Sequence, residues 1–561
     1  LKKSLILLLF FAIGALFCSS CKTSEERKQA VIIDKYKEFD AAYVKNLFEN
    51  EILGSEFLEE GIQVDSSKKV LENLKHLYAD NGYQFFWQDL TSGDLNGRAE
   101  LIMQVVANAG DHGLNAADYG FDALKKIIGE NKTEENTSYK SLVAHRAKID
   151  ALISTTALAY SRDMYEGRMK TKWEIPEKKL DYASSFGTAI TEGKITEYFT
   201  SLRPSGFGYD KLVEQLARLR KLKLEGGFPK VSTNYSFTKG KSGEAVSALI
   251  KRLKISGELA QGFEGDKLND EVLAAVKLFQ SNNGIPSTGN IRRQTRAALN
   301  KSVDEVIDQV VLNLDRQRWL PSDMGKEFVW VNIPDCTMDY YRNGKSILDM
   351  IVVVGDPKSP TPVFTEDMSH LIFSPAWNVP MSIAKEEILN YIHINPNLLI
   401  VAEVDVFHKG KKLDNPLSVD WTPELVNSRD YTFRVRPGGG NSLGDVKFMF
   451  PNHHSVYMHD TNSKECFSES VRTLSAGCIR VRKPVDLARV ILEEKGGWDN
   501  ARIKRNMGLK NEQVVHLPTK IPVYLYYLTA WVNEEGQLQL RKDYYGHDRK
   551  QLAKWTSMNK A

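Results

Sequence analysis

Near residue 303 the spacing of apolar residues changes, and this change constrains the fold more than any other feature of the chain. Before it, apolar residues recur at three-to-four spacing, the period of helices that bury one face. "AELIMQVVANAGDHGL" ends in a Gly-rich turn, and "KIDALISTTALAYSRDMYEGRM" reads as a long buried helix stopped at Gly167. "YDKLVEQLARLRKL" is another amphipathic helix, and three shorter ones between 240 and 300 are punctuated by Gly284, Pro286 and Gly289. After the change, β-branched runs dominate. "FVWVNIPDCTMDYYRNGKSILDMIVVVG" places two of them around Arg342-Asn343-Gly344-Lys345. Asn-Gly between strands predicts a type I′ hairpin, because both central residues need positive φ. "SHLIFSPAWNVP", "YTFRVRPGG", "VKFMFP", "SVYMHD" and "KIPVYLYYLTAWVN" continue the β pattern, and "KPVDLARVILEEKGG" is a helix with Pro484 at its start. The expected fold is multi-domain. A mostly α scaffold (22–239) and a small three-helix module (240–302) precede a mainly β catalytic-type domain (303–535). A partly helical capping insertion falls at about 381–430, and 536–561 is a tail.

Residues 1–21, "LKKSLILLLFFAIGALFCSSC", have the layout of a secretory signal peptide: lysines, a short apolar run, then small residues. Ser19 and Ser20 leading into Cys21 resemble the lipobox of bacterial lipoproteins, which implies lipidation at Cys21 and a membrane tether. A cleaved, unlipidated signal peptide is the alternative. Either places the chain in the cell envelope, on the periplasmic side. Lysine plus arginine (75) nearly equals aspartate plus glutamate (72), without a long basic run, so no nucleic-acid partner is expected.

Export leaves Cys336, Cys466 and Cys478 in the folded body, an odd number in an oxidising compartment. Cys478 sits in "SAGCIR", where small Ser475, Ala476 and Gly477 permit a sharp turn whose N–H groups converge on one spot and stabilise an oxyanion. His459 closes the β-like run "SVYMHD" and would take the thiol proton, the resulting ion pair lowering the thiol pKa. Arg480 adds positive charge favouring thiolate and offers a carboxylate partner. Cys466, in "NSKECFSES", reads as a loop residue, and Cys336, mid-strand, as a buried small hydrophobe. Two other readings compete: a Cys466–Cys478 disulfide, and a zinc site from His453, His454, His459 and Cys478. Against the zinc site, adjacent histidines rarely share an ion and no carboxylate completes the set. His112 and His145 read as packing or surface residues.

"HDT" followed by "LSAGCIRV" resembles the signature of the L,D-transpeptidases, the YkuD-type catalytic domain. "TPVF" at 361–364, "WNVP" at 377–380 and "NSLGDVKFMFPN" at 441–452 are similar to segments of the large multi-domain members. The helix ending in "LFQSNNGI", with its Gly turn and "ALN", resembles the three-helix peptidoglycan-binding module, in a binding or a purely architectural role. The resemblance implies that Cys478 attacks the carbonyl joining the third residue of a peptidoglycan tetrapeptide stem to its terminal D-alanine. His459 would shuttle the proton, N–H groups around Ala476 to Cys478 would hold the oxyanion, and the amine of a second stem would resolve the thioester into a 3–3 cross-link. Substrate contacts are then expected from Arg480, Tyr457, Trp377 and Asn441. A backbone carbonyl is the expected orienting partner of His459, since the Asp460 carboxylate would point to the other strand face. Stem tetrapeptides are the implied donor and acceptor, carbapenem-type compounds the implied inhibitors, and no metal or organic cofactor is implied. The same chemistry also serves an L,D-carboxypeptidase or the attachment of a protein to the stem. A non-catalytic cell-wall-binding lipoprotein is the alternative of another class.

Overall fold

The computed structural model describes residues 41–53, 67–88, 93–130, 138–169, 172–422, 425, 430–493 and 496–558. The signal-peptide segment, Cys21 and the linker that follows lie outside them. The chain divides into two compact units: Leu1–Lys170 with Lys178–Pro204 and Trp555–Ala561, and Thr171–Glu177 with Ser205–Lys554.

The first unit is helical. Its longest helix, Tyr139–Glu166, ends where expected: the N–H of Gly167, at φ 82°, caps onto the Asp163 carbonyl. Asp150 on this helix is fully buried. It accepts from the Tyr78 hydroxyl (2.5 Å) and the N–H groups of Phe86 (3.2 Å) and Trp87 (2.8 Å), so its desolvation is offset by donors from two other segments. His112 and His145 are both buried among these helices.

In the second unit, helices Glu244–Ser256, Asp270–Asn282 and Arg293–Leu299 enclose a small core that includes Leu249, Leu253, Val272, Phe279 and Leu299. The change to strands comes later than the sequence suggests. Residues Val303–Arg318 remain helical behind a Ser302/Glu305 capping box. The segment is rich in valine, yet Val303, Val306, Val310 and Leu314 keep helical spacing and pack against helix Tyr209–Leu224.

Strands then follow: β1 (Glu327–Asn332), β2 (Thr337–Arg342), β3 (Lys345–Gly355), β4 (Phe364–Phe373), β5 (Trp377–Asn378), β6 (Val404–His408), β7 (Lys411–Lys412) and β8 (Tyr431–Val435). The remainder are β9 (Val446–Met449), β10 (Met458–His459), β11 (Thr473–Ser475), β12 (Ile479–Val481), β13 (Gln513–Tyr526), β14 (Ala530–Val532) and β15 (Leu538–Leu540). The main sheet has the order β11-β3-β12-β10-β9-β4-β13-β1-β2, and β2 also pairs with β3, so it closes on itself around an apolar core. At the β2–β3 turn Asn343 (φ 51°) and Gly344 (φ 75°) both lie in the left-handed region, as the hairpin requires. Cys336 is buried as expected but not mid-strand. It ends a one-turn helix, Ile333–Asp335, at the corner between β1 and β2, with φ 54°. Between β4 and β9 a separate small core gathers Leu389, Leu399, Trp421 and Phe433. Helical turns between Met381 and Val401 pack on the small sheet β5-β8-β6-β7.

Candidate active site

Three short strands build the site. β10 runs parallel to β12, with Met458 opposite Ile479 and His459 opposite Arg480, and antiparallel to β9, with His459 opposite Lys447. Met458 and Ile479 point into the closed core, so His459, Arg480 and Lys447 share the outer face. Alternation puts Tyr457 and Cys478, one position before each strand, on that face too. The Ile479 N–H donates to the Tyr457 carbonyl (3.1 Å) and locks the register between them. Residues from three separate segments, Lys447, Tyr457 with His459, and Cys478 with Arg480, thus form one patch.

Cys478 closes a turn that is held from several sides. Gly477 has φ 110°, a conformation that a side chain would strain. The Thr361 hydroxyl donates to the Gly477 carbonyl (2.7 Å) and accepts from the Gly355 N–H (2.9 Å). Tyr545 backs this contact, its hydroxyl donating to the Gly355 carbonyl (2.5 Å) and accepting from the Thr361 N–H (3.3 Å). Ser475 donates to the Cys478 carbonyl (2.5 Å) and accepts from the Gly477 N–H (3.2 Å). Ser475 is therefore a brace of the turn, and the Gly477 N–H, expected to face an oxyanion, is already engaged. The N–H groups of Ala476 and Cys478 take no partner among the described residues, which leaves those two for an incoming oxyanion. The Cys478 thiol itself is half-buried and donates to the carbonyl of Ser455 (3.8 Å).

The electrostatics differ from an ion-pair expectation. Burial pushes the His459 imidazole down to about 3, and the neighbouring charges of Arg480 and Lys447 add to the effect, so the ring is neutral. Burial likewise raises the Cys478 thiol above its ordinary value, against the opposing pull of the Tyr457 N–H and hydroxyl and the charges of Lys447 and Arg480. No hydrogen bond joins the two side chains. The resting pair is thus thiol and neutral imidazole rather than thiolate and imidazolium. His459 Nδ1 lies 2.5 Å from the carbonyl of Asp460, which can only accept, so Nδ1 carries the proton and a neutral ring keeps its lone pair on Nε2. The Asp460 carboxylate turns away, accepting from the Asp445 N–H (3.0 Å) and from Lys464.

The other expected site residues separate into two groups. Tyr457 belongs to the patch: the side chains of Cys478 and Trp377 lie at its hydroxyl, its ring meets that of His459 edge-on at 5.7 Å, and Lys447 Nζ lies 4.2 Å from the ring centroid. Trp377, on β5 of the insertion, thereby reaches the patch through Tyr457. Asn441 does not. It is fully buried, donates to the carbonyls of Pro375 (2.8 Å) and Arg436 (3.1 Å), and accepts from the Leu443 N–H (2.9 Å), so no polar group of it is left for a substrate. Cys466 is not in a loop: it lies on the short helix Lys464–Ser468, buried beside Val353 and Phe467, with Arg480 near its sulfur. All three body cysteines are free thiols, which removes the disulfide reading. His453 and His454 lie away from the pair with Glu174 as their neighbour, so the four-residue zinc set is not assembled. Thr361, Lys447, Ser455 and Tyr545 escaped the sequence reading. Thr361, Lys447 and Ser455 stand in segments quoted above, "TPVF", "NSLGDVKFMFPN" and "SVYMHD", whereas Tyr545 had no signal.

Residues 326–506, which contain this whole patch, match the family model described as the L,D-transpeptidase catalytic domain. The chain carries a domain of the L,D-transpeptidase family. A second family model, described as a scaffold domain, matches residues 72–216. A curated Haemophilus influenzae protein named "Putative L,D-transpeptidase" is 33% identical over 245 residues, covering 44% of this chain and 49% of the relative. The chain thus matches about half the length of that relative. Solved structures with a looser likeness include an L,D-transpeptidase from Stackebrandtia nassauensis (14% identity, 53% of this chain and 96% of that one, TM-score 0.21). Another, from Xylanimonas cellulosilytica, shows 14% identity over 53% of this chain and 99% of that one, with a TM-score of 0.17. The Ldtfm-avibactam carbamoyl enzyme shows 13% identity over 37% of this chain and 51% of that one, also at 0.17. Within residues 326–506 the main sheet is closed, and the small sheet β5-β8-β6-β7 with its helical turns lies in sequence between β4 and β9.

Proposed function

We propose that the protein is a peptidoglycan L,D-transpeptidase that forms 3–3 cross-links through a thioester on Cys478. The observation that carries this reading is the shared outer face of β9, β10 and β12, which brings together a half-buried thiol, a neutral imidazole and two cations. Substrate entry closes the proton route, because hydrogen bonds between nucleophile and base commonly tighten only with substrate bound. His459 Nε2 takes the Cys478 proton, and Sγ bonds to the carbonyl carbon before the terminal D-alanine of the donor stem. The oxyanion rests on the N–H groups of Ala476 and Cys478. D-alanine leaves as the amine with the proton from His459. The side-chain amine of a second stem then attacks the thioester, gives its proton to His459, and frees the thiol.

Lys447 and Arg480 support the reading in two ways. Their charges favour the thiolate that forms on attack, and together with the larger effect of burial they keep the imidazole neutral beforehand, with a lone pair free to accept the proton. Tyr457, its own hydroxyl pushed up by burial and by the adjacent Cys478, stays protonated and donates to that thiolate. Arg480 also offers a partner for a stem carboxylate. Covalent inhibition by carbapenems at Cys478 and an envelope location with a lipid on Cys21 belong to the same proposal.

Disaccharide-tetrapeptide incubated with the protein and analysed by mass spectrometry tests it. Dimers that have lost one D-alanine are expected, and Cys478→Ala is expected to abolish them while leaving the fold intact. Tripeptide without dimers would replace the transpeptidase by an L,D-carboxypeptidase. An active Cys478→Ala protein would remove the mechanism altogether.

A further inference from the structure

A second constellation of ligating side chains lies on the same unit, outside the Cys478 patch. Glu174 is held in place by its backbone: its N–H donates to the Val363 carbonyl (3.2 Å) and its carbonyl accepts from the Thr365 N–H (3.0 Å), an added bridge on the edge of β4. His453 and His454 come from the turn between β9 and β10. Asn452 shapes that turn, donating to the carbonyls of Phe450 (2.6 Å) and Val456 (2.7 Å) and accepting from the Val456 N–H (3.1 Å), while Ser455 adopts φ 57°. This geometry overrides the usual divergence of adjacent side chains. The two imidazole rings lie 3.9 Å apart and present both Nε2 atoms to one carboxylate, His453 to Oε1 at 3.2 Å and His454 to Oε2 at 3.1 Å. The His454 ring is further fixed beside Phe364, at 5.0 Å.

We infer that Glu174, His453 and His454 form a binding site for a divalent transition-metal ion of the zinc type. One ligand atom from each residue lies within 4.8 Å of the other two. Zinc–ligand bonds of about 2.0–2.2 Å at tetrahedral angles need ligand atoms about 3.3–3.6 Å apart; each imidazole lies 3.1–3.2 Å from its own oxygen of the carboxylate, and the whole set fits within 4.8 Å, so side-chain rotation on the scale of an ångström would bring the atoms to an ion. Two imidazoles and one carboxylate are a donor set that suits zinc, with the fourth position open to water because His453 and Glu174 are exposed. The ion would tie the segment at Glu174 to the turn whose next residue, Ser455, accepts from the Cys478 thiol. Metal occupancy therefore stiffens the turn that faces the Cys478 thiol without touching the thiol itself. This site does not depend on the proposed cross-linking activity.

Zinc would also bind the Cys478 thiol, so the test uses the full chain with Cys478→Ala, stripped with a chelator and titrated with zinc chloride by calorimetry. One zinc per chain is expected. Glu174→Gln or His453→Ala, each added to that background, is expected to weaken binding at least tenfold, as loss of one of three ligands implies. Both side chains are exposed, so the variants keep the fold, and thermal melts provide a second readout. Zinc should raise the midpoint of the Cys478→Ala protein and not that of the doubly substituted ones. Equal isotherms in all three proteins, or no binding once Cys478 is gone, would overturn the assignment.

Discussion

Replacing Thr361 by valine should loosen the nucleophile turn from a distance of more than a hundred residues in sequence. Thr361 is about 1% exposed, and valine has nearly its volume, so the change leaves no cavity. It removes one oxygen that serves two backbone groups, the Gly355 N–H at 2.9 Å and the Gly477 carbonyl at 2.7 Å. A buried polar group deprived of its partner costs about 1–3 kcal/mol, and the carbonyl, with a second lone pair, falls at the low end. The expected loss of stability is therefore about 2–4 kcal/mol, read as a lower urea midpoint at unchanged slope. Gly477 also sets the direction of Cys478, and an ångström of misplacement of a reacting group costs on the order of a hundredfold in rate. Acylation of Cys478 by a carbapenem, followed by intact-protein mass spectrometry, should slow by roughly ten- to a hundredfold under conditions where the variant is folded. Thr361→Ser keeps the hydroxyl and should recover most of both losses. A Thr361→Val protein as stable and as quickly acylated as the parent would refute the argument, as would a serine variant no better than valine.

Two further outcomes follow from the charge distribution. Because burial raises the Cys478 thiol and His459 is neutral, alkylation of Cys478 by iodoacetamide in the free protein should climb steadily through pH 9. A reactive plateau from weakly acid to neutral pH would instead reveal a thiolate–imidazolium pair. His459 drops from its ordinary 6.5 to about 3 on folding, so the unfolded chain binds a proton that the folded one refuses as pH falls below 6.5. Its contribution is complete above pH 6.5 and is lost progressively down to about pH 3, by about 2 kcal/mol at pH 5. His459→Gln should flatten that part of the stability–pH curve. An identical slope in parent and variant would show that other groups cause it.

Much of the local structure was legible in the chain because its causes are local. Asn343-Gly344 forms a tight hairpin because few other dipeptides tolerate positive φ twice in a row. Gly167 stops its helix, and Pro484 starts another, for reasons that lie within a few residues. "SAGCIR" marked Cys478 over Cys466 because small residues are needed wherever a backbone must turn sharply at a thiol. Helix Val303–Arg318 misled because valine content and valine spacing point in opposite directions, and spacing decides when a face is buried.

The sequence alone determined the order of helical and β regions, the hairpin, and the cysteine with a histidine upstream, since period, turn chemistry and residue type need no distant partner. Only the tertiary structure decided which groups share a face. Parallel pairing of β10 with β12, and antiparallel pairing of β10 with β9, bring Lys447, His459 and Arg480 together through hydrogen bonds whose register no short window contains. The same pairing decides the protonation state, because burial and two neighbouring cations, none visible from the histidine's own segment, keep His459 neutral. It also placed Asn441 in the interior, where its amide braces three backbone groups, and turned His453 and His454 toward a glutamate some 280 residues away. Long-range closure of the sheet is the physical reason in each case: it fixes positions that local preference leaves free.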